Sequence, residues 1–299
     1  EALERGAHVL LEKPATVTLE ECDALIEAAD TRKLTIGVDE TIVWDPLIRR
    51  ARSQLLLGVL GELVHVDVHM AFDLQRGGRL DRILKTPACW ERQLPGGPLE
   101  DLLPHPLSVV RALTGGLALE HWRSTCTGRL PAEFIDELRL SLAADRTTAS
   151  VSISLSARPD DFLVTLHGTR ASVRIDIQNM LYDCLAPLPG PRAASRGMRV
   201  VRSGLRALGQ TARNALLIAT GQSPTPASPI HLIVAHHAAL AKGAPPPCPL
   251  AAARTDIAAA RAIWPAEHSA AAAASSGRQP ATSAASRRER RSTERECAA

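Results

Sequence analysis

The chain has 299 residues, 45% hydrophobic and 22% charged, an ordinary globular composition with length for two domains and real cores. Apolar runs such as residues 215–219 and 230–235 fall far short of the roughly 20 residues that span a bilayer, so no membrane partner is expected. A formal charge of +3 calls for no polyanion, and six cysteines without a Cys-x-x-Cys pair argue against a zinc ribbon or a disulfide framework and fit a reducing cytoplasm.

The opening residues carry Glu1, Glu4 and Arg5 with no apolar signal core, so the start reads as mid-domain. Residues 8–12 form a short apolar run that predicts a buried parallel strand, stopped by Lys13-Pro14. Thr18 and Glu21 are spaced as a capping box, and Leu19, Cys22, Leu25, Ile26 and Ala29 give the following helix one apolar face. Residues 34–38 predict a second strand, which completes the βαβ grammar of a doubly wound sheet. Asp45-Pro46 opens another helix, carried by Leu47, Ile48, Ala51 and Leu55 to near Gly58.

Beyond residue 60 the period changes. Val64, Val66, Val68 and Met70 alternate with His65, Asp67 and His69, and residues 137–142, 149–155, 162–166 and 172–177 repeat the alternation. The expected fold is α/β: a truncated Rossmann-type parallel sheet over residues 1–60, then an α+β domain over 61–268 with a large, mostly antiparallel open sheet. A helix over 99–113 interrupts its strands, and residues 256–264 predict a final helix. Leu205, Leu208, Ala212, Leu216 and Ala219 mark one face of a further helix. No acid occurs between Asp183 and Asp256, while Arg192, Arg196, Arg199, Arg202, Arg206 and Arg213 cluster there, readable as a solvated basic face or as a site for an anionic ligand or surface. Residues 269–299, Ala-, Ser- and Arg-rich, are expected to be disordered; their interleaved acids and lack of aromatics argue against nucleic-acid binding.

Two motifs carry chemistry. Glu12-Lys13-Pro14 ends a strand, where open α/β sheets place ligands, and Lys13 could present a cation to a substrate oxygen; a surface lysine before a turn proline is the plainer reading. In Gly96-Gly97-Pro98-Leu99-Glu100-Asp101-Leu102-Leu103-Pro104-His105, a helix would put Asp101 and His105 one turn apart, so that the carboxylate could orient an imidazole base. Pro104 should kink that helix, and the glycine pair would let the backbone approach a ligand. The plainer reading is a capped helix with a surface histidine. His65, Asp67 and His69 on one strand are spread over about 13 Å, too far to close on one metal ion. His236 and His237, adjacent on a helix, point apart.

The order of these motifs, with Gly61-Glu62 opening a sheet, Trp90-Glu91-Arg92 ahead of the glycine pair, Leu113-Thr114-Gly115 closing a helix and Gly168-Thr169-Arg170-Ala171-Ser172 between strands, resembles the glucose-fructose oxidoreductase, inositol dehydrogenase and rhizopine-catabolism protein family (Gfo/Idh/MocA) over residues 1–265. The resemblance implies an NAD- or NADP-dependent dehydrogenase acting on a sugar, cyclitol or related polyol. It implies Lys13, His105 and Asp101 as catalytic residues, Glu12, Lys13 and Pro14 beside the cofactor, and Trp90, Arg92, Gly97 and Asp101 around the substrate. It also implies a homo-oligomer joined through the open sheet face. The family's Gly-x-Gly-x-x-Gly turn does not occur here, so cofactor binding by this chain is expected to be poor, and a catalytically inactive binding or oligomerisation module is the alternative.

Overall fold

A computed structural model describes residues 1–75, 77, 81–131, 134–222 and 228–265. In chain order the elements are β1 (Val9–Leu11), α1 (Leu19–Thr31), β2 (Ile36–Val38), α2 (Pro46–Leu56), β3 (Leu63–Ala71), α3 (Asp81–Lys85), α4 (Pro98–Leu102) and α5 (Pro104–Thr114). There follow β4 (Ala118–Thr125), β5 (Glu137–Ala144), β6 (Thr147–Ser154), β7 (Asp161–Gly168), β8 (Ser172–Asp176), β9 (Leu181–Leu185), α6 (Arg192–Ala219), α7 (Ser228–Ala241) and α8 (Leu250–Ile263). The sequence expectation for residues 269–299 lies outside the described residues.

β1 and β2 pair in parallel, Val9 opposite Ile36 and Leu11 opposite Val38. The helix between them starts where the capping box places it: the Glu21 amide donates to the Thr18 hydroxyl and the Thr18 amide donates back to the Glu21 carboxylate, each at 3.1 Å. Cys22 and Ala29 of α1 pack with Ile36 and Val38 and with Leu250, Ala253 and Ile257 of α8, so the C-terminal helix completes the core of this small parallel unit. Asp45 caps α2 by accepting from the Leu47 amide at 2.8 Å, and α2 buries Ile48 and Ala51 in the core of the larger sheet.

That sheet has the order β4-β5-β6-β3-β7-β8-β9. β3 runs parallel to β6 and antiparallel to β7, and the other neighbours are antiparallel. The predicted alternation is present: Val66, Val68 and Met70 are buried against Leu103, Leu107 and Val110 of the α4–α5 region, together with Val151, Ile153, Val164 and Leu166 of the flanking strands. On the opposite face Asp67 accepts from His65 and His167, each at 3.1 Å, and His69 bonds Ser152 at 2.7 Å. This is a hydrogen-bonded polar surface, and among the described residues no cluster has the makings of a metal site. β4 and β9 escaped the sequence reading because both are edge strands, and β4 is exposed on both faces and so carries no alternation.

The helix expected over 99–113 is two helices that meet at Leu103-Pro104, as the missing proline amide requires. The arginine-rich stretch lies on α6. His236 is buried against Gly37, whose missing Cβ would sit 2.7 Å from the imidazole, while His237 is exposed, so the pair does point apart.

Candidate active site

Lys13 leaves the carboxyl end of β1 and Asp101 sits on α4, 88 positions along the chain. Their side chains meet: the Lys13 ammonium donates to Asp101 Oδ1 at 2.6 Å and to the Asp101 carbonyl at 2.8 Å, and both residues keep under a fifth of their side-chain surface exposed. A pair so shielded is screened far less than a surface ion pair, and it locks the small parallel unit onto the helical layer of the large sheet.

His105 follows one turn later, at the start of α5. Its imidazole is pulled down to about 3, first by burial and then by the Lys13 ammonium. Both causes favour the neutral imidazole. A small cleft of about 20 Å³ opens beside Lys13, between residues 13–17 and α8, with Glu40, Glu100, Pro104 and Arg261 on its wall. His105 is not on that wall.

The ends of both parallel strands carry acids. Glu12 follows β1 and Asp39 follows β2; Asp39 Oδ1 is buried and has no hydrogen-bond partner among the described residues. Burial first, and then the charge of Glu12, push Asp39 up to about 6. Beneath the cleft lies a buried ion network. Arg111 of α5 donates to Glu40 and, at 3.0 Å, to Asp256 of α8, with both carboxylates over nine-tenths buried. Burial raises both acids despite the guanidinium beside them. Arg261 pairs with Glu100, whose second oxygen accepts from the Gly96 amide at 2.7 Å.

The other sequence-predicted positions have varied surroundings. Pro14 lines the cleft beside Lys13. Trp90 is 48% exposed. Arg92 donates to the Leu84 carbonyl at 3.2 Å and stacks 4.9 Å over the Phe134 ring, so its guanidinium is engaged in holding the local turn. The glycine pair has two distinct causes. A Cβ on Gly96 would overlap the Trp264 indole, whereas Gly97 sits at φ 58°, ψ −146°, with open space where a Cβ would be. At Gly96 the close neighbour is therefore protein, correcting the expectation of ligand approach there.

The sequence reading missed Glu40, Arg111, Asp256 and Arg261. Asp39-Glu40 directly after a strand was a usable signal, but Arg111 and Asp256 lie 145 positions apart and nothing local joins them.

Comparison with known proteins bears on the family and the fold. Residues 1–40 match the oxidoreductase-family NAD-binding Rossmann fold of GFO/IDH/MocA proteins, and residues 48–174 match the GFO/IDH/MocA C-terminal domain. An uncharacterized oxidoreductase of Escherichia coli K12, YdgJ, is 29% identical over 175 residues, 57% of this chain and 47% of its own length. The chain thus spans about half the length of that relative. An oxidoreductase from Agrobacterium radiobacter, solved with NAD+, L-tartaric acid and magnesium, superposes with a TM-score of 0.65 at 17% identity, covering 90% of this chain and 72% of that one. Levoglucosan dehydrogenase, solved with NADH and levoglucosan, gives 0.65 at 16% identity, covering 91% and 73%. Those likenesses carry the fold; the two domain matches, in the order the motifs require, place this chain in the Gfo/Idh/MocA oxidoreductase family.

Proposed function

We propose that the chain acts in an NAD(P)-dependent oxidoreductase that moves hydride between nicotinamide and a CH–OH carbon of a sugar, cyclitol or related polyol. The observation that carries this reading is the Lys13–Asp101 pair with His105 in the field of the same ammonium. Family membership and the sugar ligand of levoglucosan dehydrogenase point the same way.

When bound, nicotinamide supplies the hydride acceptor. The residues present fit its ribose end: Glu12 and the orphaned Asp39 oxygen stand at strand carboxyl ends, where hydroxyl donors would satisfy them. An ammonium has three N–H donors; Lys13 spends two on Asp101, and the third reaches for the substrate oxygen and stabilises its growing alkoxide character. Neutral His105 takes the hydroxyl proton. Negative charge building on that oxygen raises the proton affinity of the imidazole as transfer proceeds. Asp101 fixes the direction of Lys13, the exposed Trp90 and the open side of Gly97 offer contacts to the sugar, and Arg92 holds the turn beneath them.

A polyol panel with NAD+ and NADP+, followed by nicotinamide absorbance, tests the reading. Turnover is expected with at least one polyol class, and His105→Ala and Lys13→Met should each lower kcat by about 10²–10⁴-fold. Turnover indifferent to His105→Ala would overturn the assignment. A second reading is a binding or assembly module joined through the open face of the large sheet, where Asp67, His65 and His167 form a hydrogen-bonded polar surface. Micromolar binding of NADH in an equilibrium titration would remove it.

A further inference from the structure

Independently of the redox reading, α6 is oriented in a way that its chemistry has to explain. Over 28 residues its polar and apolar side chains separate onto two faces, and the polar face is the one turned toward the protein. Ser203 donates to Asp183 at 2.5 Å, and Arg206 donates to Asp183 at 2.9 Å and to the Cys184 carbonyl at 2.8 Å. The Gln210 amide accepts from Tyr182 N at 2.9 Å and donates to Tyr182 O at 3.1 Å, as a neighbouring strand would, and Asn214 donates to the Met180 carbonyl at 3.1 Å. Positions 203, 206, 210 and 214 share one helical face and satisfy the open edge of β9, the last strand of the sheet.

The opposite face carries Met198, Val201, Leu205, Leu208 and Leu216, each 57–70% exposed, and α6 buries no residue at all. A continuous apolar stripe left in water marks an interaction surface. Its charge environment names the partner. Residues 184–255 contain no acid, and Arg192, Arg196, Arg199, Arg202 and Arg213 are exposed and, among the described residues, have no acidic partner; of the arginines on α6 only Arg206 has one.

We propose that α6 lies on an anionic lipid bilayer, its apolar face sunk into the headgroup boundary and Arg202 and Arg213, which flank that face, among the lipid phosphates. Two arguments favour lipid over a second copy of this chain. Pairing two α6 helices would bring together two sets of arginines with no acids between them. The face is about 42 Å long and about 10 Å wide, so it offers about 400 Å², half of the ~800 Å² that each partner contributes to a standard interface. No helix among the described residues is long and apolar enough to cross a membrane, so contact is in the plane of the surface. The sequence expectation of no membrane partner rested on the length of apolar runs, which bears on crossing and not on lying flat.

Co-sedimentation of the full chain with vesicles tests this. Phosphatidylcholine vesicles containing phosphatidylglycerol should retain the chain at least about tenfold better than phosphatidylcholine alone, and added salt should weaken the binding. Leu205→Glu with Leu208→Glu should abolish binding with an unchanged far-ultraviolet circular dichroism spectrum; should that pair impair folding, Leu216→Glu alone gives the same readout. Arg202→Ser with Arg213→Ser should lower anionic binding about tenfold or more. The proposal is overturned by absence of binding to either vesicle, by binding that survives the glutamate substitutions, or by a dimer in sedimentation equilibrium that those substitutions dissolve.

Discussion

Burial acts on His105 and Asp39 in opposite directions along the pH axis while favouring the neutral form of each. A histidine depressed to about 3 contributes stability above its unfolded value of 6.5 that is lost as pH falls toward 3. An aspartate raised to about 6 contributes stability below 3.8 that is lost as pH climbs through 6. Asp39→Asn should therefore raise the urea midpoint at pH about 7.5 and leave it nearly unchanged at pH about 4, and an equal gain at both would show that its titration is not the cause. The chemistry-bearing residue types were visible in the sequence: Lys13 ends a strand and His105 follows a proline. The pairing of Lys13 with Asp101 was not, because its partners lie 88 positions apart.

At the scale of elements, local rules carried far. The capping box of α1, the aspartate cap of α2 and the alternation of β3 occur where residue spacing put them, since each depends on neighbours within a turn or on one face of one strand. The Gly96-Gly97 turn shows where that reach stops. Gly97 serves the backbone, whereas Gly96 serves α8, whose Trp264 fills the space of a side chain. Gly96→Ala should lower stability by about 1–3 kcal/mol, measured as a shift of the chemical-denaturation midpoint. A smaller residue in place of Trp264 should restore part of the loss, and failure of that rescue would count against the packing explanation. Edge strand β4 was missed for a related reason: it buries too little for burial to write a period into it.

For the whole molecule, the return of α8 is the decisive event. It contributes Leu250, Ala253 and Ile257 to the core under the parallel strands and Ala260, Ile263 and Trp264 to the core of the large sheet. Its Asp256 meets Arg111, which also holds Glu40. Removing the guanidinium would strand two buried carboxylates, so Arg111→Met is expected to cost about 3–5 kcal/mol in urea unfolding. A loss below about 1 kcal/mol would mean that water reaches the acids and that the network contributes little to holding the units together.

From its amino-acid order alone this protein determines its secondary-structure periods, its helix caps, the succession of a βαβ segment and an antiparallel sheet, and a motif order shared with one oxidoreductase family. Each of these is set within a turn, along a strand face or by linear order. Tertiary structure alone decided the partner of Lys13, the burial that neutralises His105, the Glu40–Arg111–Asp256 network and which face of α6 turns inward. Those outcomes arise from desolvation and from contacts between groups tens to hundreds of residues apart, quantities that no local window of sequence contains.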